Sequence, residues 1–221
     1  MATAVAHEIN QPVHNIHSAT NSARDDLRDN LFQFDEIEPL LDKILNNTER
    51  LHKIINTFQR FARGDRTTRE MIDLNSVLAQ TVNMFKEQFE DRHITLTLTC
   101  VETNPVVYAN DFLIEEILIN LLTNARDALQ GQDNATVWVT SWQTENQAGF
   151  RVADNGTGLA ANYRPHLFTP FHSTKPTEQG TGLGLYICRK IVTELAGTLD
   201  YTDREAGGAC FTITLPQQPI E

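Results

Sequence analysis

Residues 1 to about 64 carry apolar and small side chains at alternating steps of four and three, a spacing that only long packed helices can use. Ile9, Val13, Ile16, Thr20, Ala23 and Leu27 form one such series, and Ile37, Leu41, Ile44, Thr48, Leu51, Ile55, Phe58 and Ala62 form a second. Steps averaging ~3.5 residues keep one stripe on one side of a helix, which is a heptad seam. The intervening "NLFQFD" is short, so the two helices are expected as antiparallel neighbours. Asp35 followed by Glu38 fits an N-cap with its reciprocal acid, and Pro39 falls in the second helix's first turn. Two helices bury little alone. A seam this long points to pairing with a second copy as a four-helix bundle; packing of the same face against the rest of the chain is the other solution.

The pattern changes after "RGDRTTRE", residues 63–70, which are polar, contain a glycine and read as a hinge. "SVLAQTVNMFKEQF" is helical, "HITLTLTC" alternates with period two, and "PVVYAN" is a short strand. "DFLIEEILINLLTNARDALQ" is a strongly apolar helix, followed by strands in "ATVWVTSW" and "GFRVAD". "LGLYICRKIVTELAG" is a helix closed by Gly197, and "GTLDYTD" and "ACFTITLP" are strands. The expected organisation is a helical hairpin over 1–64, a hinge over 65–70 and an α/β domain over 71–221, with about five strands and three helices.

Lysine and arginine number 18 against 29 acids, a net charge of −11. That sign argues against sequence-independent nucleic-acid binding, which needs a basic face, and against contact with an anionic membrane surface. Cys100, Cys188 and Cys210 are widely spaced and form no CxxC pair, so neither a disulfide framework nor a zinc knuckle is expected and a reducing compartment is the default. No apolar run approaches the ~20 residues needed to span a bilayer.

Four short motifs follow one another in the second half. Asn120 and Asn124 lie four apart, hence on one face of an apolar helix where asparagine is a poor helix former. Read blandly they are surface asparagines; read chemically, an amide oxygen aimed into a cleft suits Mg²⁺, which takes few protein ligands and leaves the rest to water and phosphate. "DNGTGL", Asp154 to Leu159, ends a strand. Taken alone it is a turn, but its glycines let the backbone approach a flat ring, and an ionised Asp154 can accept a hydrogen bond from an exocyclic amine such as that of adenine. "LFTPFHSTK" and "PTEQ" form a loop too long for a tight connection and read as a lid containing a single lysine, Lys175. "GTGLGL", Gly180 to Leu185, runs into a helix whose N-terminal N–H groups can cradle phosphate. It is neither a Walker A string nor a Rossmann fingerprint.

In this order, the motifs resemble those of the sensor histidine kinases of two-component systems, and the likeness covers nearly the whole chain. "NLLTNARDAL" is similar to their N box, "DNGTGL" to the G1 box, "LFTPF" to the F box and "GTGLGL" to the G2 box, while "AHEINQPV" resembles the H box of their dimerisation and phosphoacceptor domain. "HEINQP", "NARDA" and "PFHSTK" look most like the dicarboxylate and nitrogen sensor subgroup. The resemblance implies an α+β protein: a helical hairpin that dimerises as a four-helix bundle, then a Bergerat-type sandwich in which helices cover one side of a mixed sheet.

It further implies ATP and Mg²⁺ as cofactors. Asn124 would ligate Mg²⁺ and Asn120 would face the phosphates. Asp154 would read the adenine amine, with Gly156 and Gly158 shaping the pocket. Phe168 and Phe171 would anchor the lid, and Thr174 and Lys175 would reach the phosphates from it. Gly180, Thr181, Gly182, Leu183 and Gly184 would frame the phosphate end. Many family members carry lysine and tyrosine three and four residues after the magnesium asparagine; here those positions are Asp127 and Ala128, which raises the demand on Lys175.

On the same terms His7 is the expected phosphoacceptor. If Ile9 and Val13 lie in the seam, His7 sits beside it facing outward, and an imidazole of ordinary pKa is substantially neutral and nucleophilic in the cell. Glu8 is placed to accept its proton. Pro12 removes the backbone hydrogen bond to the Glu8 carbonyl, and a bend is expected there. Gln11, one turn after His7, occupies the position that in the family often aligns water for dephosphorylating a partner regulator. A zincin motif fails because position 11 is Gln, and His7 and His14, ~10 Å apart along a helix, cannot share an ion. His52 and His93 are expected to be structural, and His166 and His172 to face solvent beside the lid.

The expected function is ATP-dependent autophosphorylation of His7 and transfer to an aspartate on a response-regulator receiver domain, with a second copy of the chain as partner. The expected setting is the cytoplasmic portion of a membrane-anchored sensor whose input domain precedes the H box. The rivals are a Bergerat ATPase of the gyrase or chaperone kind, which closes a dimer without phosphorylating protein, and a non-catalytic helical scaffold.

Overall fold

The computed structural model describes residues 2–28, 38–48, 51, 69–173 and 182–218. The chain divides into two compact units, one helical and one α/β.

In the helical unit, α1 runs over Ala2–Arg28 and continues through Pro12, while α2 covers 38–48. Pro12 and Ala19 are buried on α1, with Asn15 and Ile16 partly covered between them. On α2 the buried residue is Asn47, with Leu40 and Ile44 partly covered. The two helices meet through amides: Asn15 Nδ2 donates to Asn47 Oδ1 at 3.1 Å, and Asn47 Nδ2 donates to the Lys43 carbonyl at 2.7 Å. Residues of the expected seam divide between covered and exposed positions in the single chain. Val13 is 47% exposed, Leu41 54% and Leu45 61%, and Thr20 is also exposed. The heptad stripe is broader than one contact line. Its edge packs within the chain and its centre faces solvent, as suits a helix with neighbours on two sides. Asp35 and Ile37, and the second series from Ile55 onward, lie outside the described residues, as does most of the expected hinge.

The α/β unit begins with strand β1, Glu70–Asp73, which pairs antiparallel with β3, Val106–Ala109. β1 lies where the sequence suggested only hinge and helix approach. Asp73 then caps α3, Leu74–Glu90, accepting from the N–H groups of Asn75 (3.0 Å) and Ser76 (3.4 Å), a cap that stabilises the helix by ~1 kcal/mol. Asn110 does the same for α4, Asp111–Ala128, through the Phe112 N–H at 3.0 Å. The main sheet has five strands in the order β2 (Thr95–Thr99), β4 (Thr136–Gln143), β5 (Gln147–Asp154), β7 (Ala209–Pro216), β6 (Thr198–Asp203). β2 and β4 are parallel and the other pairings antiparallel, so the sheet is mixed.

Strict alternation separates the two faces of this sheet. Val137, Val139, Phe150, Val152, Ile213 and Leu215 are buried on one face, together with the apolar stripes of α3, α4 and α5 (Gly184–Glu194). Each such side chain contributes roughly 1.5–3 kcal/mol of transfer free energy. By the strand registers, Thr97, Trp138, Ala153, Cys210 and Thr202 share the other face. The layer order is therefore helices on one side of a mixed sheet.

α5 ends differently from expectation. The left-handed residue is Ala196 (φ 56°), while Gly197 is required because a Cβ there would lie 2.2 Å from the Thr214 carbonyl oxygen. Close approach to β7, and not helix termination, selects glycine.

Candidate functional site

The end of β5, the C-terminal half of α4 and the start of α5 bring together the sequence's conspicuous polar residues. Asp154 closes β5 and is 4% exposed, a carboxyl held on the helix side of the sheet. Its Oδ1 accepts from the N–H of Gly156 at 2.9 Å and of Ala209 at 3.3 Å. Burial pushes its pKa up, and the two N–H groups and the nearby Arg204 pull it partly back. Oδ1 is thus occupied by the protein, and Oδ2 remains to accept from a ligand.

The G1 glycines are fixed by contact. A Cβ on Gly156 would lie 2.9 Å from Asp154 Oδ1 and 3.3 Å from the Ala128 carbonyl oxygen, so the loop can cross the end of α4 only without a side chain. Gly158 has φ +68°, and a Cβ there would meet the Gly208 carbonyl at 3.1 Å. The Leu159 N–H donates to the Tyr201 hydroxyl at 3.2 Å, which itself donates to Asp203 Oδ1. Arg164, in the 3₁₀ turn Arg164–His166, forms an ion pair with the same Asp203.

On α4, Asn120 is half-buried and its Nδ2 donates to the Glu116 carbonyl at 2.8 Å. That bond orients the amide so that Oδ1 faces the first residue of α5: a Cβ on Gly184 would lie 3.0 Å from it. Asn124, one turn on, is also half-buried, with no hydrogen bond of its amide among the described residues. A hard, uncharged oxygen donor of this kind fits a Mg²⁺ ligand. Among the described residues no group of three or more His, Cys, Asp or Glu could hold a metal ion. Further along α4, Arg126 donates to Asp127 Oδ1 from Nε at 3.3 Å and from Nη2 at 3.1 Å, and to Gln88 from Nη1 at 3.2 Å.

Leu183 is buried and precedes α5, which has no side-chain cap, so its first-turn N–H groups are suited to an anion. Gly182 has φ +63°. Phe168 is half-buried beneath the Arg189 guanidinium, 4.9 Å from the ring centroid, and Phe171 is held at φ +65°. His166 and His172 stack on each other, with centroids 5.1 Å apart. Thr174, Lys175, Gly180 and Thr181 lie outside the described residues. So do the side chains of His7 and Glu8, whose backbone belongs to α1; Gln11 is exposed on the same helix.

The sequence reading missed the support behind Asp154. Arg204, in the turn between β6 and β7, donates from Nη1 to the Asp154 carbonyl at 3.0 Å, with its guanidinium 4.1 Å from the Trp138 ring centroid. Gly207 (φ 89°) and Gly208 (φ 104°) shape that turn. Only the paired glycines in "REAGGA" hinted at a tight constraint there.

Comparison with known proteins gives two family matches in chain order. Residues 1–67 match the His Kinase A (phospho-acceptor) domain, and residues 109–219 match the histidine kinase-, DNA gyrase B- and HSP90-like ATPase family. The chain is 32% identical to the C4-dicarboxylate transport sensor protein DctB of Rhizobium meliloti, over 97% of this chain and 34% of that protein. It is 27% identical to the sensor histidine kinase ZraS of Escherichia coli, over 98% of this chain and 45% of that protein. The chain thus spans about a third to under half the length of these relatives. Among solved structures, the catalytic domain of histidine kinase ThkA superposes with a TM-score of 0.62 at 29% identity, covering 69% of this chain and 99% of that one. ThkA in complex with the response regulator protein TrrA gives a TM-score of 0.73 at 24% identity, over 99% of this chain and 61% of that one, a likeness of fold.

Proposed function

The chain belongs to the sensor histidine kinases, and from that premise we propose that it binds MgATP in its α/β unit, phosphorylates its own His7, and passes the phosphoryl group to an aspartate of a response-regulator receiver domain. The observation that carries this is the buried Asp154 carboxyl, with one oxygen bonded by Gly156 and Ala209, in a unit where Asn120 abuts the start of α5.

Asp154 accepts the adenine amine on its second oxygen, and Gly156 and Gly158 admit the ring. Asn124 offers its amide oxygen to Mg²⁺, which when bound neutralises charge on the transferring group. Asn120 and the first-turn N–H groups of α5 meet the phosphates. Lys175, Thr174, Gly180 and Thr181 complete that end from the lid, and Phe168 and Phe171 anchor it. An imidazole nitrogen of His7 forms the P–N bond as the bond between the γ-phosphorus and the bridging oxygen breaks. Glu8 accepts the displaced imidazole proton, and ADP leaves. We assign 1–64 to the phosphoacceptor hairpin, 65–70 to the hinge and 71–221 to the ATP-binding domain.

A second copy completes the helical unit through the exposed stripe of Val13, Leu41 and Leu45. Among the described residues no helix is long and apolar enough to cross a membrane. We place this part of a sensor in the cytoplasm, in keeping with the sensor proteins it resembles.

The test is incubation with γ-radiolabelled ATP and Mg²⁺. Acid-labile label is expected in the wild type and in His14→Ala and absent in His7→Ala. Label that persists in His7→Ala overturns the assignment, and an ATPase that only closed a dimer would give no protein label at all. With a phosphorylated receiver domain, Gln11→Ala is expected to keep autophosphorylation and slow dephosphorylation; unchanged rates in both assays would remove Gln11 from the scheme.

A further inference from the structure

We propose that Arg204 is a positioning residue for nucleotide recognition: clamped between the Trp138 ring and the Asp154 carbonyl, it holds the adenine-reading carboxyl in place from the side of the sheet opposite the nucleotide. This deepens the proposed function and rests on Asp154 being the adenine reader.

The geometry is specific to one face. Trp138 and Ala153 are register partners on the face away from the helices, whereas Asp154 pairs with Val137, buried on the helix side. The Arg204 guanidinium lies over Trp138, 4.1 Å from the ring centroid, and so sits behind the sheet. From there Nη1 reaches the Asp154 backbone carbonyl at 3.0 Å. Arg204 therefore cannot itself touch a nucleotide bound among α4, α5 and the sheet. It acts through Asp154, which it fixes by a charge-assisted hydrogen bond and a cation–π contact, both sensitive to the planar guanidinium.

The turn that carries Arg204 is built around the same residue. The Arg204 N–H donates to the Gly208 carbonyl at 3.2 Å, and the Gly207 N–H donates to the Arg204 carbonyl at 3.0 Å. Gly208 packs so close that a Cβ would lie 2.0 Å from the Asp154 carbonyl oxygen. The next residue, Ala209, donates its N–H to Asp154 Oδ1 at 3.3 Å. One hairpin turn thus grips Asp154 by its carbonyl and its carboxyl. The neighbouring Asp203 engages Arg164 and Tyr201, leaving Arg204 as the charged group that acts on Asp154, alongside the neutral N–H groups of Gly156 and Ala209. Arg204 favours the ionised form of a carboxyl that burial disfavours, so its loss should show in the pH dependence of nucleotide binding.

The experiment measures equilibrium binding of a fluorescent ATP analogue with Mg²⁺ to the whole chain from mildly acid to neutral pH, alongside thermal unfolding, for wild type, Arg204→Gln, Arg204→Lys and Asp154→Asn. Arg204→Gln is expected to weaken binding by roughly tenfold at neutral pH and to move the acid limb of the binding curve to higher pH. Arg204→Lys keeps the charge and should hold the acid limb near its wild-type position while losing part of the affinity. Wild-type affinity and pH profile in Arg204→Gln overturn the proposal. So does a loss of affinity that tracks lowered thermal stability with an unmoved acid limb, because support of the fold alone would do that. If Asp154→Asn binds as well as wild type, the adenine assignment fails and Arg204 loses its role with it; if Asp154→Asn loses binding and Arg204→Gln does not, the positioning role alone is wrong.

Discussion

Gly184→Ala is the most discriminating single substitution for the phosphate end of the site. Gly184 is the first residue of α5, and an alanine Cβ would stand 3.0 Å from Asn120 Oδ1, 3.7 Å from its Cγ and 3.9 Å from its Cβ. Relaxed carbon–oxygen contacts are a few tenths of an ångström longer, so either α5 lifts or the amide turns. The amide is the softer partner, but its Nδ2 is tied to the Glu116 carbonyl at 2.8 Å, and turning it lengthens that bond. A neutral hydrogen bond of this kind is worth about 0.5–1.5 kcal/mol. If Oδ1 faces the phosphates, a comparable amount is lost from binding, which is roughly a two- to tenfold weaker affinity for MgATP. The folded state loses part of the same hydrogen bond but gains up to about 1 kcal/mol from alanine over glycine in a helix, less at a terminal position, so the two nearly cancel. The expected signature is weaker binding in a fluorescent-nucleotide titration with a melting temperature close to wild type. Unchanged affinity would refute the placement of Asn120 at the phosphates. A parallel fall of affinity and melting temperature would show instead that the α4–α5 contact had been broken wholesale.

Asp154→Asn tests the other end of the pocket and carries a sign for stability. Because the folded-state pKa of Asp154 is raised, its carboxyl costs stability as pH climbs from the ordinary carboxylate value through the folded one. Asparagine removes that cost while keeping an acceptor for Gly156 and Ala209, so melting at neutral pH should be equal or higher while adenine nucleotide binding collapses; a lower melting temperature with retained binding would contradict both halves. Leu45→Glu places a charge on a side chain that is 61% exposed in one chain, beside Leu41 at 54%. Burying each such leucine against a second copy is worth roughly 1.5–3 kcal/mol, so sedimentation should shift toward monomer; an unshifted profile would rule this stripe out as the dimer face.

Much of the α/β fold was legible because its signals are local. Period-two runs such as "HITLTLTC" and "ATVWVTSW" became β2 and β4, and the apolar stripe over 111–128 became α4, since alternation and helical spacing each have one way to bury a face. β1 escaped notice because Glu70–Asp73 is four residues long and alternates too briefly to stand out from the polar run before it. In the helical unit the heptad was visible but its division was not: Pro12, Ala19 and Asn47 are buried while Val13 and Leu41 are exposed, a choice between adjacent positions that depends on where the partner helix lies.

The chemistry of the site divides the same way. Asn120, Asn124, Asp154, Gly156 and Gly158 could be named from the sequence because each occurs in a short string whose spacing sets a helix face or a tight turn. Which oxygen of Asp154 is free, that Asn120 Oδ1 points at Gly184, and that Arg204 backs Asp154 from across the sheet were decided by tertiary structure. Those contacts join residues up to 64 positions apart, as between Asn120 and Gly184, and 50 apart between Asp154 and Arg204. No local pattern encodes them. They exist because antiparallel pairing of β5 with β7 brings the β6–β7 turn against the end of β5, and because α4 and α5 pack side by side on one face of the sheet.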